Sequence, residues 1–225
     1  MFDFPRVFEQ LTPFLWDGLQ VTVYISVVSI ILGMAVGLIS CFMVISRFRV
    51  LRILAGTFVW VIRGTPMIVQ AMFFFFGLNQ VLRAATGILL TPVQAGIITV
   101  MLNAGAYFTE IFRAGIEAVD KGQSEAARSL GLPHWKTMQK VVLPQALRIS
   151  LPPTVNQWII SIKDTSLLSF IGVAELMQQA RIYAFSVWLY FEPFIYVALW
   201  YLGILSILMI FSKWLEARSS YDRKN

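Results

Sequence analysis

The chain has 225 residues, of which 58% are apolar and 13% charged, with a formal net charge of +6. A soluble domain runs near 45–50% apolar and about 25% charged, and the mean hydropathy here is +0.72. That excess excludes a soluble enzyme and a disordered chain, and the single cysteine, Cys41, excludes a disulfide scaffold. A bilayer accommodates the surplus, because lipid-facing side chains are as apolar as core ones. With about 20 residues per spanning helix, this length holds five or six spans and no large extramembrane domain.

The first element is an amphipathic stripe of Phe4, Val7, Phe8, Leu11, Phe14 and Leu15 within a segment beginning at Phe2. Asp3, Arg6, Glu9 and Gln10 lie off the stripe, and the stretch lacks the basic start of a signal peptide. It is expected to form a short helix in the membrane interface, residues 1–17, limited by Pro13. A membrane core, residues 18–215, follows. Its first span, Gly18 to Ile45, sets Ser26, Ser29, Gly33, Gly37 and Ser40 in small-residue register, which lets another helix approach closely.

After Arg47, Arg49 and Arg52, a second apolar run from Ile53 to Leu82 is interrupted by Arg63-Gly64-Thr65-Pro66. A third spans Pro92 to Ala118, and a polar stretch occupies residues 120–145. A fourth, Ala146 to Ile162, carries Pro152-Pro153, and a last span covers Phe191 to Leu215 before a tail of residues 216–225. The class is therefore an all-α membrane protein of about five transmembrane helices. Thirteen of the eighteen Lys and Arg residues fall in the first loop, around the polar stretch and in the tail. The positive-inside rule puts these in the cytoplasm, with the N-terminus outside and the C-terminus inside. The basic balance is thus a topology signal and gives no reason to expect nucleic-acid binding.

Within the polar stretch, Ser124 is expected to cap a helix, Glu125 to suit its positive end, and Gly131 to terminate it. Pro133 then opens a second short helix. Glu125-Ala126-Ala127, Gly131 and Val141-Val142-Leu143-Pro144 together resemble the EAA loop of ATP-binding-cassette importer permeases, with Val141 where that pattern has Ile. Arg63-Gly64-Thr65-Pro66 with Gln70, Asn103 with Ala106, Tyr107 and Glu110, and Lys163-Asp164-Thr165-Ser166-Leu167 resemble the polar amino-acid branch of that family. The run from Asn156 to Leu167 looks most like that of its glutamine permeases.

The resemblance implies a type I, MetI-like permease subunit of the bacterial cytoplasmic membrane. It implies a coupling helix bearing Ser124, Glu125, Ala126, Ala127, Arg128 and Gly131 that docks into a cytoplasmic ATPase subunit. It further implies a second permease subunit, an identical copy being favoured. An extracytoplasmic binding protein would touch outer loops such as Glu175 to Arg181. No phosphate-binding GxxxxGK[ST] loop is present, so no cofactor is expected in this chain, and ATP and Mg belong to the partner. A secondary transporter is disfavoured by the few acids in the spans and by the absence of a clear inverted repeat. Within the class, the alternative to a glutamine permease is a permease for a cationic amino acid, an opine or cystine. A channel or scaffold that needs no ATPase is the alternative from another class.

Polar groups within spans face a partner or an aqueous path. Arg63, Met67, Gln70 and Phe74 share one helix face, as do Thr99, Asn103, Tyr107 and Glu110, and Gln157, Ser161 and Asp164. Gln70, Asn103, Tyr107, Gln157, Ser161 and Asp164 are the candidate substrate-pathway residues. Interhelical hydrogen bonding is the competing role for Gln70 and Asn103. Arg63 and Glu110 are the costly charges, each expected to find an opposite charge and to gate or brace the path. The resemblance implies that an acidic residue at the position of Gln157 accompanies cationic substrates. Neutral Gln157 suits a polar neutral side chain, and Asp164 would hold an α-ammonium group. His134 stands alone, so no metal site is expected.

Overall fold

In the computed structural model, which describes residues 4–221, helices follow one another without strands among the described residues. Phe2 and Asp3 of the first segment, and residues 222–225 of the tail, lie outside that range. α1 (Phe4–Val44) is one continuous helix of 41 residues, about 60 Å at 1.5 Å per residue. The sequence suggested a break near Pro13, and the structure has none. Val7, Leu11 and Leu15 are fully buried against Leu176, Ala180, Tyr183, Tyr196 and Val197. That burial offsets the roughly 3 kcal/mol an internal proline costs. Val7, Leu11 and Leu15 of the stripe expected at the membrane interface thus face a protein core, while Phe8 and Phe14 stay exposed.

α2 (Arg49–Gly64) stops at Thr65, whose backbone is extended, and α3 (Met67–Met72) begins beyond Pro66. A π-turn, Phe73–Gly77, leads into α4 (Leu78–Thr86). Phe73 and Phe76 point outward while Phe74 and Phe75 pack on the core around Ile25, Ala95 and Leu168. α5 (Pro92–Glu117) starts with a capping box: Thr91 Oγ1 accepts from Gln94 N, and Gln94 Oε1 accepts from Thr91 N.

α1 and α5 form the most intimate pair in the bundle. A Cβ on Gly37 would lie 3.0 Å from the Gly105 carbonyl, and one on Gly33 3.0 Å from the Met101 carbonyl. The small-residue register thus brings the two backbones together, as expected from Gly33 and Gly37. Ile30, Cys41, Ala104, Phe108 and Phe112 seal the middle of this contact.

α6 (Lys121–Ser129) and α7 (His134–Thr137) follow, and a π-turn, Met138–Val142, runs directly into α8 (Leu143–Asp164). Pro144 has no N–H for the Lys140 carbonyl, and the widened turn bonds Leu143 N to Met138 O instead. The second short helix is therefore the root of the fourth long one. A 3₁₀ stretch, Thr165–Ile171, leads to α9 (Leu176–Val187), and α10 (Phe191–Tyr221) closes the bundle.

Four stretches among the described residues are long and apolar enough to cross a membrane: Phe4–Val44, Met67–Thr86, Pro92–Glu117 and Phe191–Leu215. α8, at 22 residues, is longer than the shortest of these. Its polar positions Ser150, Thr154, Gln157 and Ser161 are buried by neighbouring protein, which is how a helix of such mixed composition sits inside a bundle.

Candidate functional site

Most of the candidate residues fall in two regions: the exposed α6 loop and the polar seam where α2 and α3 meet α5.

The α6 helix begins one turn earlier than expected. Asp120, not Ser124, is the cap, its Oδ1 accepting from Gly122 N at 2.7 Å. Ser124 consequently lies inside the helix, and Glu125 lies in its second turn. The end is as expected. Gly131 adopts φ +83°, its N–H donates to Arg128 O at 2.9 Å, and Leu132 N donates to Ala127 O at 3.2 Å. These two bonds define a Schellman end. Ala127 is buried and anchors α6, whereas Glu125, Ala126 and Arg128 are exposed. Leu130 and Trp135 stand out at 85% and 63% exposure. The loop is a small knob with a charged and apolar exposed face.

The α2–α5 seam is built around a helix break. The carbonyl of Ile62 would normally receive the N–H of residue 66, which is Pro66. Gln70 supplies the donor instead: its Nε2 lies 2.7 Å from Ile62 O, 3.1 Å from Thr65 O and 2.8 Å from Thr65 Oγ1. Thr65 Oγ1 in turn donates to Val61 O at 2.9 Å. Asn103 Nδ2 approaches Gln70 Oε1 at 3.4 Å, and both residues are buried.

One turn below, the Arg63 guanidinium lies 5.2 Å over the Tyr107 ring and 3.8 Å from Glu110 Oε2. Glu110 has a closer cation: Arg113 Nη2 donates to it at 2.7 Å, and Arg113 Nη1 reaches Glu117 at 2.8 Å. Arg113 was missed in the sequence reading, although its i+3 spacing from Glu110 was the available signal. Two open cavities of about 490 and 470 Å³ share Arg63, Tyr107 and Glu110 in their walls. The second extends to Ser150 and Pro153 of α8.

The α8 stripe stays apart from this cluster. Gln157 Nε2 donates to Ser161 Oγ at 3.4 Å, both groups being buried, and Asp164 is half-buried at the helix end. Thr99 donates to the Ala95 carbonyl of its own helix. The structure thus joins the stripes on α2–α3 and α5 by direct contacts, while α8 contributes Ser150 and Pro153 to the shared cavity wall.

A further polar centre lies at the start of α9. Glu175 is fully buried, caps α9 by accepting from Met177 N at 2.9 Å and Gln178 N at 2.7 Å, and accepts from Tyr201 Oη at 2.9 Å. Burial lifts its carboxyl to about 7, against the pull of those donors and of Arg181. Arg181 itself donates to the Ser169 carbonyl at 3.2 Å and lies over Phe170. Tyr201 is thereby committed to the Glu175 carboxylate. Among the described residues no three His, Cys, Asp or Glu side chains gather as a metal site would need.

A multi-pass helical bundle with an exposed two-helix knob and a polar seam is compatible with a membrane transport subunit. Residues 27–221 match the family of binding-protein-dependent transport system inner membrane components, and the chain belongs to that family. It is 40% identical to the glutamine transport system permease protein GlnP of Escherichia coli, over 96% of this chain and 97% of that one. It is 37% identical to the arginine transport system permease protein ArtQ of Bacillus subtilis, over 96% of each. Among solved structures, an amino acid ABC transporter with histidines superposes at a TM-score of 0.90 with 35% identity, covering 97% of this chain and 99% of that one. The MetNI methionine ABC transporter in an inward-facing conformation matches at 0.70 with 18% identity, covering 96% and 99%, a likeness of fold alone. The protein is thus an ABC-importer permease subunit of the inner membrane, as the loop and stripe residues implied.

Proposed function

We propose that this chain carries a polar amino acid, glutamine foremost, across the cytoplasmic membrane as the permease subunit of an ATP-driven importer. The observation that carries this reading is 40% identity along almost the entire chain to the glutamine permease relative. Buried, uncharged Gln157 agrees with it, since an amide both donates and accepts, as the side chain of glutamine requires. Permeation proceeds by alternating access through a path lined by Tyr107, Asn103, Gln157, Ser161 and Asp164, with Arg63 and Glu110 bracing its wall.

Energy enters from outside the chain. ATP and Mg²⁺ sit on cytoplasmic ATPase subunits, and α6 is the coupling helix that meets them. Its Schellman end holds α6 at a fixed angle to the root of α8. Closure of the ATPase pair therefore moves α6 and α8 as one rigid body. A second, identical permease completes the pathway, and a binding protein delivers substrate to the outer face near α9. The N-terminus is outside and the C-terminus inside, following the charge bias.

The arginine relative and the transporter solved with histidines favour a second reading, a cationic amino acid. ATPase stimulation in proteoliposomes, with the cognate ATPase, binding protein and a panel of amino acids, decides between them. Strongest stimulation by glutamine supports the first reading. Stimulation by arginine or histidine alone selects the second, and ATPase-independent flux overturns both.

A further inference from the structure

The break in the second span poses a problem of unmet hydrogen bonds. Pro66 has no N–H, and its ring bars the preceding residue from the helical region, so Thr65 is extended at φ −121°, ψ 144°. The carbonyls of the last turn of α2 then lack backbone donors. A buried carbonyl left unpaired costs about 1–3 kcal/mol. Two side chains meet the deficit: Thr65 Oγ1 donates to Val61 O, and Gln70 Nε2 donates to Ile62 O at 2.7 Å and to Thr65. The far end of the Gln70 amide receives Asn103 of α5. One side chain therefore ties the end of α2, the start of α3 and the middle of α5.

We infer that Gln70 is a positioning residue rather than a substrate ligand: its amide staples the α2–α3 bend and so aims Arg63 at Tyr107 and Glu110. Both amide ends are engaged within the protein. Arg63 sits one residue beyond Ile62, so the angle at which α2 ends sets where its guanidinium lands. Fixing the bend from α5 also means that α2 follows α5 when the bundle moves. This inference rests on the transport reading for its consequence, but the staple itself does not.

The test uses the full complex in proteoliposomes. Gln70→Glu preserves size and the acceptor for Asn103 and removes both donors. Turnover of substrate-stimulated ATPase and uptake is expected to fall at least tenfold, with KM for loaded binding protein within twofold of wild type. Arg63→Ala combined with Gln70→Glu should be no slower than the worse single variant, because both act through the same guanidinium. Thr65→Val, which loses the hydroxyl, should lower turnover several-fold, and Thr65→Ser should restore it. This milder pair decides the matter if Gln70→Glu fails to assemble.

A raised KM at unchanged turnover, multiplicative effects with Arg63→Ala, or near-normal turnover in Gln70→Glu overturns the inference. Melting temperatures of the detergent-purified chain separate the two readings. If wild type transports no amino acid, the transport reading fails. The staple is then judged by whether Gln70→Glu and Thr65→Val lower the melting temperature non-additively.

Discussion

Arg63 and Glu110 meet across the α2–α5 seam at 3.8 Å, but Glu110 belongs more closely to Arg113, at 2.7 Å. The Arg63 side chain is 43% exposed and shares its charge with the Tyr107 ring. A pair at that distance and exposure is worth little, and its cation–π partner about as much. A double-mutant cycle of Arg63→Ala and Glu110→Gln is expected to give a coupling of about 0.5 kcal/mol or less by thermal unfolding. The corresponding cycle with Arg113→Ala should give the larger value. The reverse order would mean that Arg63, and not Arg113, is what neutralises Glu110.

The α6 knob separates stability from recognition. Glu125 is exposed, so Glu125→Lys should leave the melting temperature unchanged while abolishing co-purification of the ATPase subunit. Gly131 is different, because at φ +83° any side chain is strained. Gly131→Ala should cost about 1 kcal/mol locally. It should also lower ATP-coupled uptake more than it lowers ATPase binding, since the exit angle of α6 shifts. Normal uptake by both variants would remove α6 from the coupling role.

Much of this was legible beforehand for a physical reason: proline and glycine act locally. The Thr65-Pro66 break, the Gly131 helix end and the Gly33–Gly37 contact each follow from one residue's backbone properties. What stayed hidden depended on partners far along the chain. Pro13 lies inside a helix because Val7, Leu11 and Leu15 are covered by residues 160 or more positions away. Ser124 looked like a cap because its own sequence fits one, yet Asp120 starts the helix a turn earlier. Gln70 was read as lining a path from its face of the helix. That periodicity says where a side chain points and nothing about which carbonyl takes its protons.

Glu175 should make the packing of α9 sensitive to pH. Its folded-state carboxyl titrates at about 7, above the ordinary 4.5, chiefly because burial disfavours the charge. A raised carboxyl contributes stability that is fully present below the ordinary value and is lost as pH rises through the folded one. The docking of α9 should therefore weaken between about pH 4.5 and 7, by roughly 3 kcal/mol at most. Hydrogen exchange of α9 amides is expected to be slower at pH 5 than at pH 8 after correction for intrinsic rates. Glu175→Gln should flatten that difference, and an equal slope in both proteins would exclude the carboxyl as its source.

Asp164 ends α8 half-buried, three residues from Ser161 and seven from Gln157 on the same face. On the proposed path, a carboxylate there would suit the α-ammonium group that every amino acid carries, and Gln157 would meet the part that differs between them. The two positions should consequently respond differently. Asp164→Asn removes the charge without changing shape, and uptake of all transported amino acids is expected to fall together, by tenfold or more. Assembly and basal ATPase should remain at wild-type levels. Gln157→Glu keeps the shape and adds a charge, so uptake should shift from glutamine toward arginine or histidine. Competition uptake with labelled glutamine measures both effects. Unchanged transport by Asp164→Asn would remove it from the path, and an unchanged preference in Gln157→Glu would move selectivity to the binding protein.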